Sequence, residues 1–501
     1  NNSVNEAEEE PKYSNPKQKV HCIFKHIIVF TNSKDSSKNK TLKNIEDAIK
    51  ALPKDERPEL HTFIAAKTDS IDNGHTLIIS DNDSEFKITD QSNIDTLIFS
   101  RLGVQGEDGC EEAVKLLQDR GFLVLNPVRY SELASNKLAS AYLFEKGDIP
   151  QPRFCDMNKH VLYDEKEYTE SMKRLYDEFD PKDVDKNKDL DVVVKILDGH
   201  GGTGVFTCDC KKLNAILQTI FAIDPDQNLI IQRKEDGDGG DIRVHVLTLR
   251  DRQIILGAMK RQQLGGDFRS NVSLGAQAIK VKLTPEQEDI ALKTAKLSHL
   301  PWCAVDIMPL KEKNIDGFKD VVLEINASPG TDGISEVIGH NFINILLNEL
   351  NDPSEFMLQD KNAGYIESVD VQFDDDTTKK FLAKLDTGNS TTASTLEIGE
   401  YEADGDNITF SVEGKKFTFK KIKTMNAIAG DKVYERPVIV VPMIKVGQRK
   451  VTNVHIALVK NRDNKTTNML LNRDTIGRLG YIVHPSQSHI LTDEIEKVKI
   501  V

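Results

Sequence analysis

In this 501-residue chain, the residues best able to do chemistry fall within Trp302–Ala327. Two apolar runs flank the polar turn Lys311–Gly317, a pattern that predicts an antiparallel hairpin. Side chains two apart on a strand share a face, so Glu324 and Asn326 project together, and pairing across the turn brings Asp306 beside them. All three are hard oxygen donors. Such a set suits Mg²⁺, with Mn²⁺ as the alternative, because these ions take oxygen ligands and complete their shells with water and substrate phosphates. Acidic strand residues are ordinarily solvated or paired, but these interrupt Cys303–Val305 and Val321–Leu323, where an unpaired charge is costly.

Upstream, Val192-Val193-Val194-Lys195 leads into the glycine-dense loop Asp198–Gly204. Gly201, Gly202 and Gly204 would let backbone N–H groups approach phosphate oxygens, and Lys195 would add a compact positive charge. The loop is neither a Walker loop nor a dinucleotide fingerprint, since no Gly-Lys-Ser/Thr is present and a strand follows; a plain glycine turn is the alternative. A third group, Lys260, Arg261, Arg269 and Asn271, surrounds Gly265-Gly266 and would favour anionic substrate groups.

These residues need a scaffold. An alternating βα pattern starts at Lys25, with His26–Phe30 apolar, Thr41–Leu52 and Gly109–Arg120 at helical spacing, and strand-like Asp95–Phe99 and Phe122–Leu125. Ser131–Lys146 reads as one helix, ended by Gly147 and Pro150. Strands follow at Asp191–Lys195, Leu229–Gln232, Ile242–Leu249, Gln253–Arg261, Trp302–Leu310 and Asp320–Ala327, with a helix over Thr284–Leu300 opened by Thr284-Pro285-Glu286. The expected divisions are an acidic disordered tail over 1–20, a parallel-sheet domain over 21–130, an α+β domain over 131–350, a linker over 351–363 and an all-β domain over 364–501.

The ordered series Lys137, Lys195 with its loop, Gln232, Asp241-Ile242-Arg243, Gly266–Asn271, Asp306 and Glu324–Gly330 resembles an ATP-grasp ligase of the RimK type, over roughly 122–347. That family adds glutamate to the C-terminus of a ribosomal protein. The resemblance implies an α/β ATP-grasp fold, with an N-terminal parallel-sheet pre-ATP-grasp domain and α+β ATP-binding domains. It implies that Lys137 and Lys195 contact ATP phosphates, that Asp241 and the strand end Gln232, Arg233 and Lys234 hold the nucleoside, and that Asp306, Glu324 and Asn326 carry Mg²⁺. Arg269 and Asn271 would sit at the reacting phosphate or acyl group, with Arg261 in the same catalytic cluster. Arg233 stands where that family usually has an acidic residue. In such chemistry phosphoryl transfer turns a carboxylate into an acyl phosphate, which an amine attacks, and Asp198–Gly204 is the expected water-excluding lid.

Farther on, Ala383-Lys384-Leu385-Asp386-Thr387-Gly388 puts one carboxylate between an apolar strand and a tight turn. Gly364–Leu491 resembles the retropepsin-like RimB-type domain often called an ATP-dependent zinc protease, through Ile366-Glu367, Asp386–Gly388, Glu435–Val438 and Met469–Asp474. Asn389 replaces a small residue and Asn472 a glycine of that pattern. With a single Asp-Thr-Gly, a shared-proton pair of carboxylates would need two copies of Asp386, hence a homo-oligomer. Hydrolysis of the ligated product and passive binding of peptide both remain open for this domain.

Composition excludes several classes. Lys and Arg number 66 against 80 Asp and Glu, a net charge of −14, which argues against general affinity for nucleic acid or anionic membrane. No apolar run approaches the roughly 20 residues of a membrane span. Six irregularly spaced cysteines suggest a reduced, cytoplasmic setting, and Cys208 and Cys210 read as core residues. The expected partners are an amino acid, glutamate favoured, and a peptide or protein acceptor. The alternatives are a small-molecule or peptide-modifying amide ligase of the same fold, or an aspartic protease whose ATP-grasp part senses nucleotide.

Overall fold

The computed structural model describes residues 20–72, 76–89, 95–100, 108–119, 122–177, 179–180, 190–197, 204–250, 252–262, 277–352, 361–429, 432–447, 449–461, 466–492 and 495–497. The chain forms two compact units, residues 1–248 with 252–351, and residues 249–251 with 352–501.

The first unit begins with strands β1 (His26–Thr31), β2 (Glu59–Ile64), β3 (Asp69–Asp72), β4 (Thr76–Ser80), β5 (Glu85–Thr89), β6 (Thr96–Phe99) and β7 (Leu123–Leu125). A parallel sheet runs in the order β2-β1-β6-β7, with β3-β4-β5 as a separate antiparallel sheet. Ile27–Phe30 are all buried, so β1 reads as a continuous apolar run and not as an alternation. Beyond β7, buried Asn126 ties this sheet to the next layer: its side-chain amide donates to the carbonyls of Trp302 and Ala327, and its Oδ1 accepts the Trp302 N–H.

The stretch expected as one helix over Ser131–Lys146 is two, Val128–Ser135 and Lys137–Lys146. Asn136 breaks it, because its extended backbone frees its side chain to accept the N–H groups of Leu138 and Ala139 as an N-cap. Then come β8 (Phe154–Met157), β9 (Asp191–Ile196), β10 (Val205–Asp209) and β11 (Leu229–Arg233), an antiparallel sheet in the order β10-β9-β11-β8. One face buries Val192, Val194, Leu229 and Ile231; the other packs Phe154 and Ile230 against Ala141 of the Lys137–Lys146 helix. Asp209 caps the helix Cys210–Ile223. A second antiparallel sheet, in the order β14-β13-β12-β15-β16, holds β12 (Gly240–Thr248), β13 (Gln253–Gln262), β14 (Gln277–Lys280), β15 (Trp302–Pro309) and β16 (Asp320–Asn326). The helix Pro285–Ser298 crosses its apolar face, opened by a capping box between Thr284 and Gln287.

The second unit has β17 (Lys361–Gly364), β18 (Ile366–Asp374), β19 (Thr377–Leu385), β20 (Ser394–Glu397), β21 (Tyr401–Asp404), β22 (Asn407–Val412), β23 (Lys415–Lys420), β24 (Lys423–Ala429), β25 (Lys432–Val446), β26 (Arg449–Val459), β27 (Met469–Leu471) and β28 (Tyr481–His484). Its main sheet runs β18-β19-β27-β20-β26-β25-β24 and closes into a barrel through β18 and β25. Val369, Phe381, Ile439, Ile456 and Leu471 fill the interior. One expectation needs correction. Residues 361–363, read as the end of a linker, form a strand with Gly364 because they pair in parallel with β28. The helix Arg473–Leu479 interrupts an otherwise all-β unit; Asn472 starts it and Gly480, in the left-handed conformation, ends it.

Candidate active site

The geometry follows from strand register. Glu324 lies directly opposite Asp306 on β15 and β16, with Asn326 opposite Ala304. On the other side of β15, Asp306 faces Arg243 of β12, and Asp241 of β12 faces Arg261 of β13. Asp306, wholly buried, takes Arg243 Nε on Oδ1 at 2.8 Å, and Arg243 and Arg261 amino groups on Oδ2 at 2.7 Å each. The Arg261 guanidinium also forks onto Asp241, with Nε at 3.0 Å from Oδ1 and its amino group on Oδ2. Burying ions costs several kcal/mol each unless they are paired, so this array of two carboxylates and two guanidiniums holds together only as a set.

Burial alone would push the Asp306 carboxyl up, but Arg243 and Arg261 outweigh it and hold Asp306 below the usual carboxylate range. Glu324 differs. Half its side chain reaches water; desolvation and the adjacent Asp306 charge raise its pKa. Arg243 approaches it only to 3.9 Å. Glu324 and Asn326, partly exposed on one face of β16, form a hard oxygen set with the buried Asp306 opposite Glu324, and the crowding that raises Glu324 is what a divalent cation would relieve. The residues present therefore fit Mg²⁺.

The cationic side comes from the other sheet. Lys195 lies on β9 opposite Val205 and Ile230, on the face turned toward the Lys137–Lys146 helix. Burial and the neighbouring Lys137 push its pKa down to about 8, against a raising influence from Glu324. Lys137 Nζ donates to the Leu197 carbonyl at 3.2 Å. Gly204 has φ +72°, and a Cβ there would lie 3.0 Å from the Ile196 side chain, so glycine is required where the loop rejoins β10. Gly201, Gly202 and the other lid residues before Gly204, together with Arg269 and Asn271, lie outside the described residues.

Gln232 is buried on β11. Arg233 stacks its guanidinium 5.0 Å from the centre of the Tyr176 ring, and Lys234 pairs with Asp191 at 2.9 Å. Asp241, expected at the nucleoside, has its carboxylate on Arg261. Arg243 was absent from the expected site set although it stands two residues from Asp241; alternation on β12 puts both on one face, and that was the available signal.

In the second unit, Asp386 is partly exposed just after β19. Its N–H donates to Leu471 O at 3.0 Å, its Oδ1 accepts the Gly388 N–H at 3.2 Å, and Arg473 Nε donates to Thr387 O at 2.9 Å. Glu367 is structural: buried, its carboxylate accepts the N–H groups of Gly364, Ile490 and Leu491 and the Thr492 hydroxyl. Asn472, buried, accepts from Thr475 N and Ser394 Oγ and donates to Thr391 O, contacts a glycine could not make.

Comparison with known proteins centres on the first unit. Residues 134–350 match the family model of the RimK-like ATP-grasp domain. A "Probable alpha-L-glutamate ligase" of Pseudomonas fluorescens is 33% identical over 173 residues, 34% of this chain and 53% of that protein. Another, of Psychromonas ingrahamii, is 37% identical over 164 residues, 32% of this chain and 50% of that protein. The chain thus spans about half the length of the curated relatives it matches. Among solved structures, the ATP-grasp ligase PsnB complexed with minimal precursor aligns at TM-score 0.45 with 16% identity, over 65% of this chain and 97% of that one. D-alanyl-alanine synthetase A from Vibrio cholerae aligns at 0.44 with 13% identity, over 66% and 98%. Over residues 134–350, the segment that carries the Lys195 and Asp306–Glu324 faces, the chain is similar to the RimK-like ATP-grasp domain and has an ATP-grasp fold.

Proposed function

We propose that the chain is an ATP-dependent carboxylate–amine ligase that forms an amide through an acyl phosphate and releases ADP and phosphate. Its favoured reaction adds an amino acid, glutamate first, to the C-terminus of a peptide or protein. The observation that carries this reading is the strand pairing that sets Asp306 opposite Glu324, with Lys195 on β9 and Lys137 on the adjoining helix near enough for the charges of Lys137 and Glu324 to act on Lys195. Cationic groups near an anionic metal-ligand face match what an ATP triphosphate and its metal require.

Asp306, Glu324 and Asn326 would hold Mg²⁺, whose chemistry is to neutralise the phosphate oxygens. Arg243 and Arg261 fix the Asp306 carboxylate in one orientation, so that the ligand face is set before substrate arrives. Lys195 and Lys137 bind phosphate oxygens, and the Gly204 end of the loop keeps the backbone close. Gln232, Arg233 and Lys234 are assigned to the nucleoside, and Arg269 and Asn271 to the acyl phosphate, on sequence grounds. The β-barrel unit is assigned to trimming or holding the product through Asp386, most simply as a self-associated pair.

The test is intact-mass spectrometry of C-terminal peptides incubated with ATP, Mg²⁺ and single amino acids. A mass gain equal to one amino acid less water, with ADP formed in equal amount, supports the reading; unchanged peptides across the amino-acid set sink it.

A further inference from the structure

Away from the ligase face, His26 opens β1 and Glu59 and His61 lie on β2, its parallel neighbour. His26 pairs in register with Glu59, and His61 is two residues further along β2, so alternation turns all three side chains to one face. Among the described residues this is the single group of three His, Cys, Asp or Glu ligand atoms lying within 4.8 Å of one another. His26 Nδ1 is 3.2 Å from His61 Nε2, and Glu59 Oε2 is 3.7 Å from the first and 3.8 Å from the second.

Those separations suit one ion. A tetrahedral zinc with bonds of ~2.0–2.2 Å to imidazole nitrogen and carboxylate oxygen sets its ligand atoms about 3.3–3.6 Å apart, close to the 3.2, 3.7 and 3.8 Å found here. The His61 ring packs against Phe86, tilted by 33° with centroids 3.8 Å apart, while the Glu59 side chain is 68% exposed, leaving one side of the triangle open to water. We propose that His26 Nδ1, His61 Nε2 and the Glu59 carboxylate form a binding site for one zinc-class divalent ion, with the fourth position open to solvent. Two imidazoles and one carboxylate favour zinc, cobalt or nickel over the Mg²⁺ of the oxygen-only face, so the two sites discriminate by ligand chemistry.

The experiment uses the full chain, stripped with chelator, dialysed and titrated with Zn²⁺ by calorimetry and with Co²⁺ by visible absorption. We expect one equivalent bound and an intense four-coordinate cobalt spectrum without a thiolate charge-transfer band, which excludes the six free cysteines. Glu59→Gln, at an exposed position that leaves the fold untouched, should weaken binding about 100-fold or more, and His26→Gln and His61→Gln should remove the bound equivalent. Glu324→Ala should keep it, which separates this site from the ligase face. No binding by the wild type, a thiolate band, or wild-type binding by Glu59→Gln and His61→Gln would overturn the proposal.

Discussion

Lys195 offers a direct test of how the candidate site handles charge. Burial and Lys137 bring its pKa down to about 8 from 10.5, so its ammonium is lost as pH rises through about 8. If the ammonium is the phosphate-binding form, the apparent Kd for an ATP analogue is flat below that point and rises about tenfold per pH unit above it. At pH 9 the loss is therefore about tenfold, or ~1.4 kcal/mol. Lys195→Arg stays charged throughout this range, so its Kd, though altered by the larger group, should not climb between pH 7 and 9.5. Calorimetry with AMP-PNP and Mg²⁺ measures both, and wild-type binding at pH 9 should also take up a proton. A wild-type Kd that is flat over this range, or one that climbs in parallel with the arginine variant, would refute the assignment of Lys195 to the phosphates.

Other consequences follow from the same geometry. Glu324→Ala and Asn326→Ala should abolish ligation while shifting stability by less than about 1 kcal/mol, since both side chains are partly exposed; circular dichroism and the ligation assay read the two effects together. Arg261→Met should lower stability by about 3–5 kcal/mol in urea unfolding, because it takes the guanidinium from Asp241 and one bond from Asp306, and adding Asp241→Leu should recover much of that. If Asp386 hydrolyses product, cleavage should fall on dilution and vanish in Asp386→Asn; cleavage by the variant, or none by a dimeric wild type, would leave peptide binding as the barrel's role.

The carboxylate face was legible because a hairpin is local. Period-two alternation and the turn at 311–317 suffice to put Asp306, Glu324 and Asn326 together. The Arg243–Asp306 link was not, since it depends on β12 pairing with β15 some 60 residues away, which alternation does not specify. Likewise Lys361–Gly364 becomes a strand only through β28, more than a hundred residues on, and His26, Glu59 and His61 meet only through a parallel crossover. The break at Asn136 was in principle readable: an Asn before Lys-Leu-Ala is a good N-cap, but the helical spacing on both sides concealed it. The charge balance gave no hint of a fully buried Asp306, because its compensating arginines come from two other strands.

In the proposed reaction, phosphoryl transfer from ATP at the Lys195 and Asp306–Glu324 site is coupled to amide formation. Parallel quantification of nucleotide products and peptide mass, with glutamate and a C-terminal acceptor peptide in the presence of Mg²⁺, tests it most directly. One ADP and one phosphate are expected for each residue added, with both lost in Glu324→Ala. Release of AMP and pyrophosphate, or ATP turnover with no new amide under any amino acid tried, would contradict it.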